Sequence, residues 1–199
     1  MFKTCYYLLF IMKRKLIALA FLGTAFAFTA SAQDDADDNH TVQITIPEVA
    51  ILDLEASSGT SITLAVAAPT EAGLPVSFAD AVDSTVWINY SSIVGNTSEA
   101  SRTVSAKISA GTVPGGMVLK VTAASDAGNG DGTVGSSAGQ ITLSGTNQTV
   151  VSAIGSCYTG DGASNGHALY YALEQSGSYA DIDFDDATTL TILYTISNN

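Results

Sequence analysis

Apolar and polar residues alternate with a period of two along most of the chain after residue 40. In residues 41–46, Val42, Ile44 and Ile46 fall on one face, and Thr41, Gln43 and Thr45 on the other. That period is typical of a β-strand with one buried face. No stretch of ten or more residues keeps the 3.6-residue period of a helix. The pattern therefore predicts an all-β protein.

Short stretches with strand character recur between turns rich in Gly, Asn, Asp and Ser. Pro47 separates the first two stretches because proline cannot donate a hydrogen bond to a sheet. The predicted strands are residues 41–46, 49–54, 61–67, 84–90, 102–109, 117–123, 140–143, 148–154, 168–173 and 189–196. About 8–10 short strands in residues 41–199 predict a single β-sandwich domain of Greek-key type, immunoglobulin-like or pilin-like.

One predicted strand, residues 84–90, is apolar on both faces. Trp87 lies on one face, and Val86, Ile88 and Tyr90 lie on the other. Trp87 is expected to be a large piece of the core. Two apolar faces predict a central strand covered on both sides or a contact with another molecule.

The beginning of the chain has the three parts of a secretory signal peptide. A basic cluster, Lys13-Arg14-Lys15, precedes an apolar run over residues 16–28 and the small-residue site Ala30-Ser31-Ala32. The apolar run is shorter than the roughly 20 residues of a membrane anchor. We therefore expect residues 1–32 to be removed after Ala32, leaving a secreted or cell-surface protein with no stable membrane span. Both Met1 and Met12 are candidate start residues.

Charge divides unevenly at this cleavage site. After Ala32, three basic residues stand against all nineteen acidic ones, a net charge of −16. Residues 33–40 hold four aspartates and no apolar period, so they are predicted to be a disordered, solvated acidic tail. So negative a surface repels phosphate backbones, and no binding of nucleic acid is expected.

Candidate chemistry is sparse. Cys157 is the single cysteine after the cleavage site, which excludes an intrachain disulfide and predicts either a buried small hydrophobe or an intermolecular bond. Cys157 and His167 are a possible nucleophile and base, but they flank a glycine-rich turn without an oxyanion-hole motif. Metalloprotease, phosphate-loop and dinucleotide motifs are missing from the sequence. We expect no enzymatic activity.

Oxygen-bearing side chains in the glycine-rich loop over residues 125–135 make it the candidate metal site. Asp126, Asn129 and Asp131 are possible calcium ligands, although their spacing departs from that of an EF-hand. A mobile hairpin loop is the alternative, also for residues 160–166. Clustered carboxylates in residues 181–186 would share one side if extended, and a solvated edge is the alternative there. No cofactor other than calcium is expected.

Four segments carry a resemblance to known proteins: residues 86–90, 111–121, 154–160 and 193–196. Their succession resembles uncharacterised exported β-sandwich proteins of Gram-negative bacteria. More distantly, it is similar to pilin and spore-coat-U-type fimbrial domains. The resemblance covers most of the mature chain and implies a structural role, without any catalytic residue.

These features favour an exported, non-enzymatic structural or adhesion module. Its partners would be other copies of itself or other surface proteins, and it would assemble as a fimbrial or surface-filament subunit through β-strand contacts. Residues 41–46 would exchange into a neighbouring subunit, as donor strands do; an ordinary first strand is the alternative. The alternative function is a secreted carbohydrate- or calcium-binding β-sandwich module.

Overall fold

The computed structural model describes residues 37–186 and 188–199, and this part of the chain is nearly all β, with 44% strand and 2% helix. A single 3-10 turn, Tyr179–Asp181, interrupts the strands described. The strands are β1 (Val49–Ala56), β2 (Val82–Ile93), β3 (Arg102–Ala110), β4 (Met117–Ala123), β5 (Asp131–Gly132), β6 (Ser136–Ser137), β7 (Gln140–Thr142), β8 (Gln148–Ile154), β9 (Cys157–Tyr158), β10 (His167–Gln175) and β11 (Thr191–Asn198).

The described strands form two antiparallel sheets, which confirms the predicted β-sandwich. The first sheet has the order β5-β9-β2-β10-β4-β7, and β1 pairs with the opposite edge of β2. The second sheet has the order β11-β3-β8-β6. Neighbours distant in sequence, such as β2 and β10, make most of the pairing non-local.

The core lies between the sheets and takes one face of each strand. From β2 it receives Val86, Ile88 and Tyr90, each at most 3% exposed. Trp87 faces the other way and is only half-buried, between Glu55 of β1 and Ala168 of β10. The expectation of a core Trp87 is therefore wrong, because β2 can turn only one face inward and three apolar side chains occupy that face.

Eight of the ten predicted strands are present within a few residues of the predicted bounds, and two are not strands. Residues 41–46 and 61–66 pair with no described residue, and near them only Ala67 forms an isolated bridge, with Ser77. The first strand begins at Val49 instead, after Pro47. Alternation gives the side-chain pattern of a strand, but a strand also needs a neighbouring backbone to pair with.

The predicted signal peptide, residues 1–32, lies outside the described residues. The described part of the predicted acidic tail, residues 37–40, is exposed. The chain separates into two compact units between Ile44 and Thr45, and all the described strands belong to the second unit. In the described residues, no helix has the length and apolar character needed to cross a membrane.

Candidate functional site

One end of the sandwich is open, with a groove of about 1130 Å³. It lies where β1 ends, β2 begins and β11 begins, and Leu54, Val86 and Ile192 line it. Among the described strands, β1 pairs only with β2, and β11 pairs only with β3. Each therefore leaves one edge of backbone donors and acceptors unpaired beside an apolar groove.

Two tyrosines at this groove connect the sheets. The hydroxyl groups of Tyr171 on β10 and Tyr194 on β11 are 2.7 Å apart, and both side chains are buried. Burial raises the pKa of Tyr171 to about 12, and the charge of Asp83 adds to this, while the hydrogen bond from Tyr194 opposes it. Burial also raises the pKa of Tyr194 well above its usual range. Both hydroxyls therefore stay protonated and paired at neutral pH.

An unpaired segment, residues 61–66, covers part of the groove. Ile62, Leu64 and Val66 line the groove and are half-buried. Ser61 and Thr63 also border the groove but are exposed, as is Ala65. No backbone hydrogen bond joins residues 61–66 to any other described residue. We call residues 61–66 the plug segment; it fills apolar space without extending either sheet.

The N-terminal residues 41–46 repeat the pattern of the plug segment but expose it. Val42, Ile44 and Ile46 are 66%, 81% and 74% exposed. Both segments place three β-branched or branched apolar residues two positions apart, with small or polar residues between them. Six extended residues span about 20 Å, the length of an ordinary strand.

The opposite end of the sandwich is closed by Arg102, the first residue of β3, which is 0% exposed. Its guanidinium donates to the carboxylate of Glu48 at 2.5 Å, the Ser92 hydroxyl at 3.0 Å and the Asn198 amide oxygen at 2.7 Å. It also donates to the backbone carbonyls of Val49 and Ile93. One buried cation thus joins the start of β1 to the ends of β2 and β11.

Arg102 is a structural residue whose role was not predicted from the sequence. The signal was present, since Arg102 is one of only three basic residues after Ala32 and begins a strand with alternating apolar residues. Its partners are up to 96 positions away in sequence, so the periodic pattern could not name them.

A second polar cluster joins Tyr90 to His167, which is 1% exposed. His167 Nδ1 is 2.8 Å from the Ala124 carbonyl, which can only accept, so Nδ1 donates. Nε2 lies 2.7 Å from the Tyr90 hydroxyl, and this hydroxyl donates its proton to the Val134 carbonyl. Burial raises the pKa of Tyr90 far above its usual range, and charges on Cys157 and Asp126 add to the effect. The raised pKa keeps the Tyr90 hydroxyl protonated at neutral pH, so it can donate to the Val134 carbonyl.

Cys157 is buried, in agreement with the first of its two predicted roles, a buried small hydrophobe. Burial, followed by the charge of Asp126, raises the pKa of its thiol from 9.0 to about 11. The thiol is therefore protonated at neutral pH, the opposite of what a nucleophile needs. Both ring nitrogens of His167 are already bonded to Tyr90 and Ala124, so the structure does not form the considered Cys157–His167 pair.

The three predicted calcium ligands bind mainly within their own loops. Asp126 accepts from the amide of Gly128 at 2.8 Å, Asp131 accepts from the amide of Gly132 at 2.7 Å, and Asn129 donates to the Ser164 carbonyl at 3.3 Å. Residues 37–186 and 188–199 contain no group of three or more His, Cys, Asp or Glu side chains placed to hold a metal ion. The calcium site stays a prediction.

The acidic cluster at residues 181–186 does not form an extended strand. Asp181 ends the 3-10 turn, and the residues after it are irregular. Asp181, Asp183 and Asp185 are all exposed. This agrees with the solvated alternative rather than with a shared face of carboxylates.

Fold and site together define an antiparallel two-sheet β-sandwich with one polar, closed end and one apolar, open end. The chain matches no protein-family model, no curated protein and no solved structure.

Proposed function

We propose that this protein is an exported, non-enzymatic structural or adhesion module whose copies assemble through β-strand contacts, as subunits of a surface filament do. In this proposal, residues 41–46 of one copy enter the groove of the next copy. There they replace or join the plug segment and pair with the free edges of β1 and β11. The proposal includes export directed by residues 1–32 and a Greek-key sandwich of the pilin-like or immunoglobulin-like kind.

The observation that supports this function is the shared pattern of the two unpaired segments. The plug segment already places Ile62, Leu64 and Val66 in the groove at a spacing of two residues. Val42, Ile44 and Ile46 have the same spacing and are exposed to solvent. A donor strand of this kind would bury its apolar face and satisfy its backbone on a free edge, which the plug segment does not do.

The position of Arg102 adds a second argument. Through Glu48 and Val49 it fixes the start of β1 to the closed end of the sandwich. Residues 41–46 precede this anchor directly in the sequence. A donor segment needs a rigid point of attachment so that its strand register in the acceptor is defined.

Size-exclusion chromatography with light scattering tests the proposal on three chains. The first begins at Gln33, the second lacks residues 33–40, and the third lacks residues 33–46. We expect the first two to associate at concentrations of tens of micromolar and the third to be monomeric. Ile44→Asp in the first chain should also give a monomer, because the aspartate loses the apolar contact of Ile44 and is repelled by Asp183 and Asp186, which line the groove.

The shorter deletion is the matched control, since it removes the acidic tail but keeps Val42, Ile44 and Ile46. Monomers from all three chains would refute assembly through residues 41–46. Association that persists without residues 33–46 would place the interface elsewhere on the molecule.

A further inference from the structure

The outer face of the first sheet carries a concavity of about 350 Å³, separate from the groove. Side chains from β1, β2 and β9 and from the loop after β9 line it: Ile51, Asp53, Asn89, Ser91, Tyr158 and Asp161. Of these residues, Asp161 alone lies in a loop considered from the sequence as a possible site, residues 160–166. The concavity faces away from the core, because Tyr90 and Ser92 of β2 point inward.

Strand register places Ile51, Ser91 and Tyr158 in one row across the floor of this concavity. Ile51 lies opposite Ser91, and Ser91 lies opposite Tyr158. Directly paired residues share a face of the sheet, and strands are about 4.8 Å apart, so the row is about 10 Å wide. Tyr158 is 54% exposed and Ile51 is 65% exposed. The tyrosine ring is thus available to a flat ligand.

Asn89 fixes the rim of the concavity. Its side-chain amide donates to the Gly162 carbonyl at 2.9 Å and thereby holds the loop over residues 160–166 against β2. The Oδ1 atom of Asn89 is buried and has no hydrogen-bond partner among the described residues. Gly166, with φ of +66°, leaves space for this oxygen, since a Cβ there would approach it to 2.8 Å.

Two aspartates, Asp53 and Asp161, also line the concavity. Asp53 is paired opposite Asn89 in β1, and the backbone carbonyl of Asp161 accepts from Asn165 at 2.6 Å. Two carboxylates in one concavity repel anions, and each can accept hydrogen bonds from the hydroxyl groups of a ligand. Two carboxylates are too few for a calcium ion, which takes six to eight oxygens.

From this arrangement we infer that the concavity binds a neutral saccharide. The aromatic face of Tyr158 stacks on the C–H face of a sugar ring, and Asp53, Asp161 and Ser91 bind its hydroxyl groups. A shallow site with an aromatic surface and a few convergent polar groups suits one or two sugar units. The inference is independent of the proposed assembly, because residues 41–46 and the groove take no part in it.

Native affinity electrophoresis tests the inference with four soluble neutral polysaccharides: dextran, laminarin, galactomannan and xyloglucan. The chain that begins at Gln33 should be retarded by at least one of them. Tyr158→Ala should weaken that binding about tenfold, since loss of one aromatic contact typically costs this much. Tyr170→Ala is the matched control, because Tyr170 is 51% exposed on β10 of the same sheet.

Retardation by none of the four polysaccharides would overturn the inference, and so would equal retardation of the Tyr158→Ala and Tyr170→Ala proteins. A partner of the other suitable chemistry, a lysine- or arginine-rich peptide, provides a further test. Binding of pentalysine by the wild type, lost in Asp53→Asn and in 0.5 M NaCl, without polysaccharide binding, would also overturn it. None of these results depends on whether the chain associates with itself.

Discussion

The two ends of the sandwich are covered in different ways, one by a buried polar network and the other by an apolar segment. At the closed end, a fully buried guanidinium donates to acceptors on β1, β2 and β11. At the open end, the plug segment contributes apolar side chains but no backbone pairing to the described sheets. Buried polar networks fix one arrangement, whereas apolar contacts tolerate exchange. The open end is therefore the end that suits the proposed strand exchange.

This contrast connects stability to the proposed assembly. The chain enters the sandwich at the closed end, through Glu48 and Val49. The open end, with the groove, lies at the other end of the same strands. One copy can therefore hold its own N-terminal segment firmly at one end and accept another segment at the other. Head-to-tail contacts of this kind generate open filaments when the rotation does not close.

The largest effect should come from the closed end. Arg102→Met removes the buried cation and leaves the Ser92 hydroxyl and two carbonyl groups without their donor. We expect a loss of about 3 kcal/mol or more in the free energy of unfolding. Urea denaturation followed by tyrosine and tryptophan fluorescence measures it.

Lys107→Met on the same strand is the control for removing a positive charge. Lys107 is only half-buried and makes no salt bridge among the described residues, so its loss should change stability by about 0.5 kcal/mol or less. Equal urea midpoints for the two variants would show that the Arg102 network does not hold the closed end together.

The next effect concerns the tyrosine pair at the groove, and it appears only at alkaline pH. Folding raises the pKa of Tyr171 from 10.0 to about 12 and raises that of Tyr194 as well. As pH rises above 10, the unfolded chain releases protons that the folded chain retains. Stability that is complete below pH 10 is then lost, by about 1.4 kcal/mol per pH unit for each tyrosine.

Thermal melts between pH 8 and pH 11 measure this loss. The double variant Tyr171→Phe, Tyr194→Phe removes both hydroxyls together, so neither is left unpaired, and its midpoint should fall less steeply with pH than that of the wild type. Tyr170→Phe, which is exposed on the outer face, should follow the wild type. If the double variant also follows the wild type, the pair does not cause the alkaline loss.

A smaller effect is expected from the plug segment. Leu64→Ser places a hydroxyl group at a half-buried apolar position. It should lower the free energy of unfolding by about 1 kcal/mol, well below the loss expected for Arg102→Met. Because it weakens the plug, it should also strengthen self-association through residues 41–46. Urea denaturation and size-exclusion chromatography measure the two effects.

Leu74→Ser is the matched control, since Leu74 is 56% exposed and does not line the groove. It should change neither stability nor association by a measurable amount. A Leu64→Ser chain that is as stable as the wild type, or that associates less, would contradict the role assigned to the plug segment.

The sequence predicted the architecture better than it predicted the sites. A period of two locates strands such as β4, whose observed bounds, Met117–Ala123, equal the predicted ones. The same period in residues 41–46 and 61–67 gave false strands, because pairing depends on free edges formed by residues far away in the sequence. For the same reason, the sequence could not reveal that Tyr158, Asn89 and Asp53 meet on one face, since register is a property of the folded sheet.

The smallest effect is expected in the reaction rate of a cysteine thiol, which can be compared between the closed end and the plug segment. Cys157 lies on β9 next to Ser92 of the closed end, is 7% exposed and has a pKa of about 11. At pH 8 it should react with Ellman's reagent only on the timescale of opening of the sandwich, and at once in 8 M urea.

The variant Cys157→Ala, Leu64→Cys moves the single thiol to the plug segment, where it should react at least about tenfold faster without urea. Asp126→Asn should speed the reaction of Cys157 only slightly, because burial is the larger cause of its raised pKa. Equal rates for the thiols at positions 157 and 64 would mean that the two ends open together, and the plug segment would then have no independent mobility with which to admit a strand.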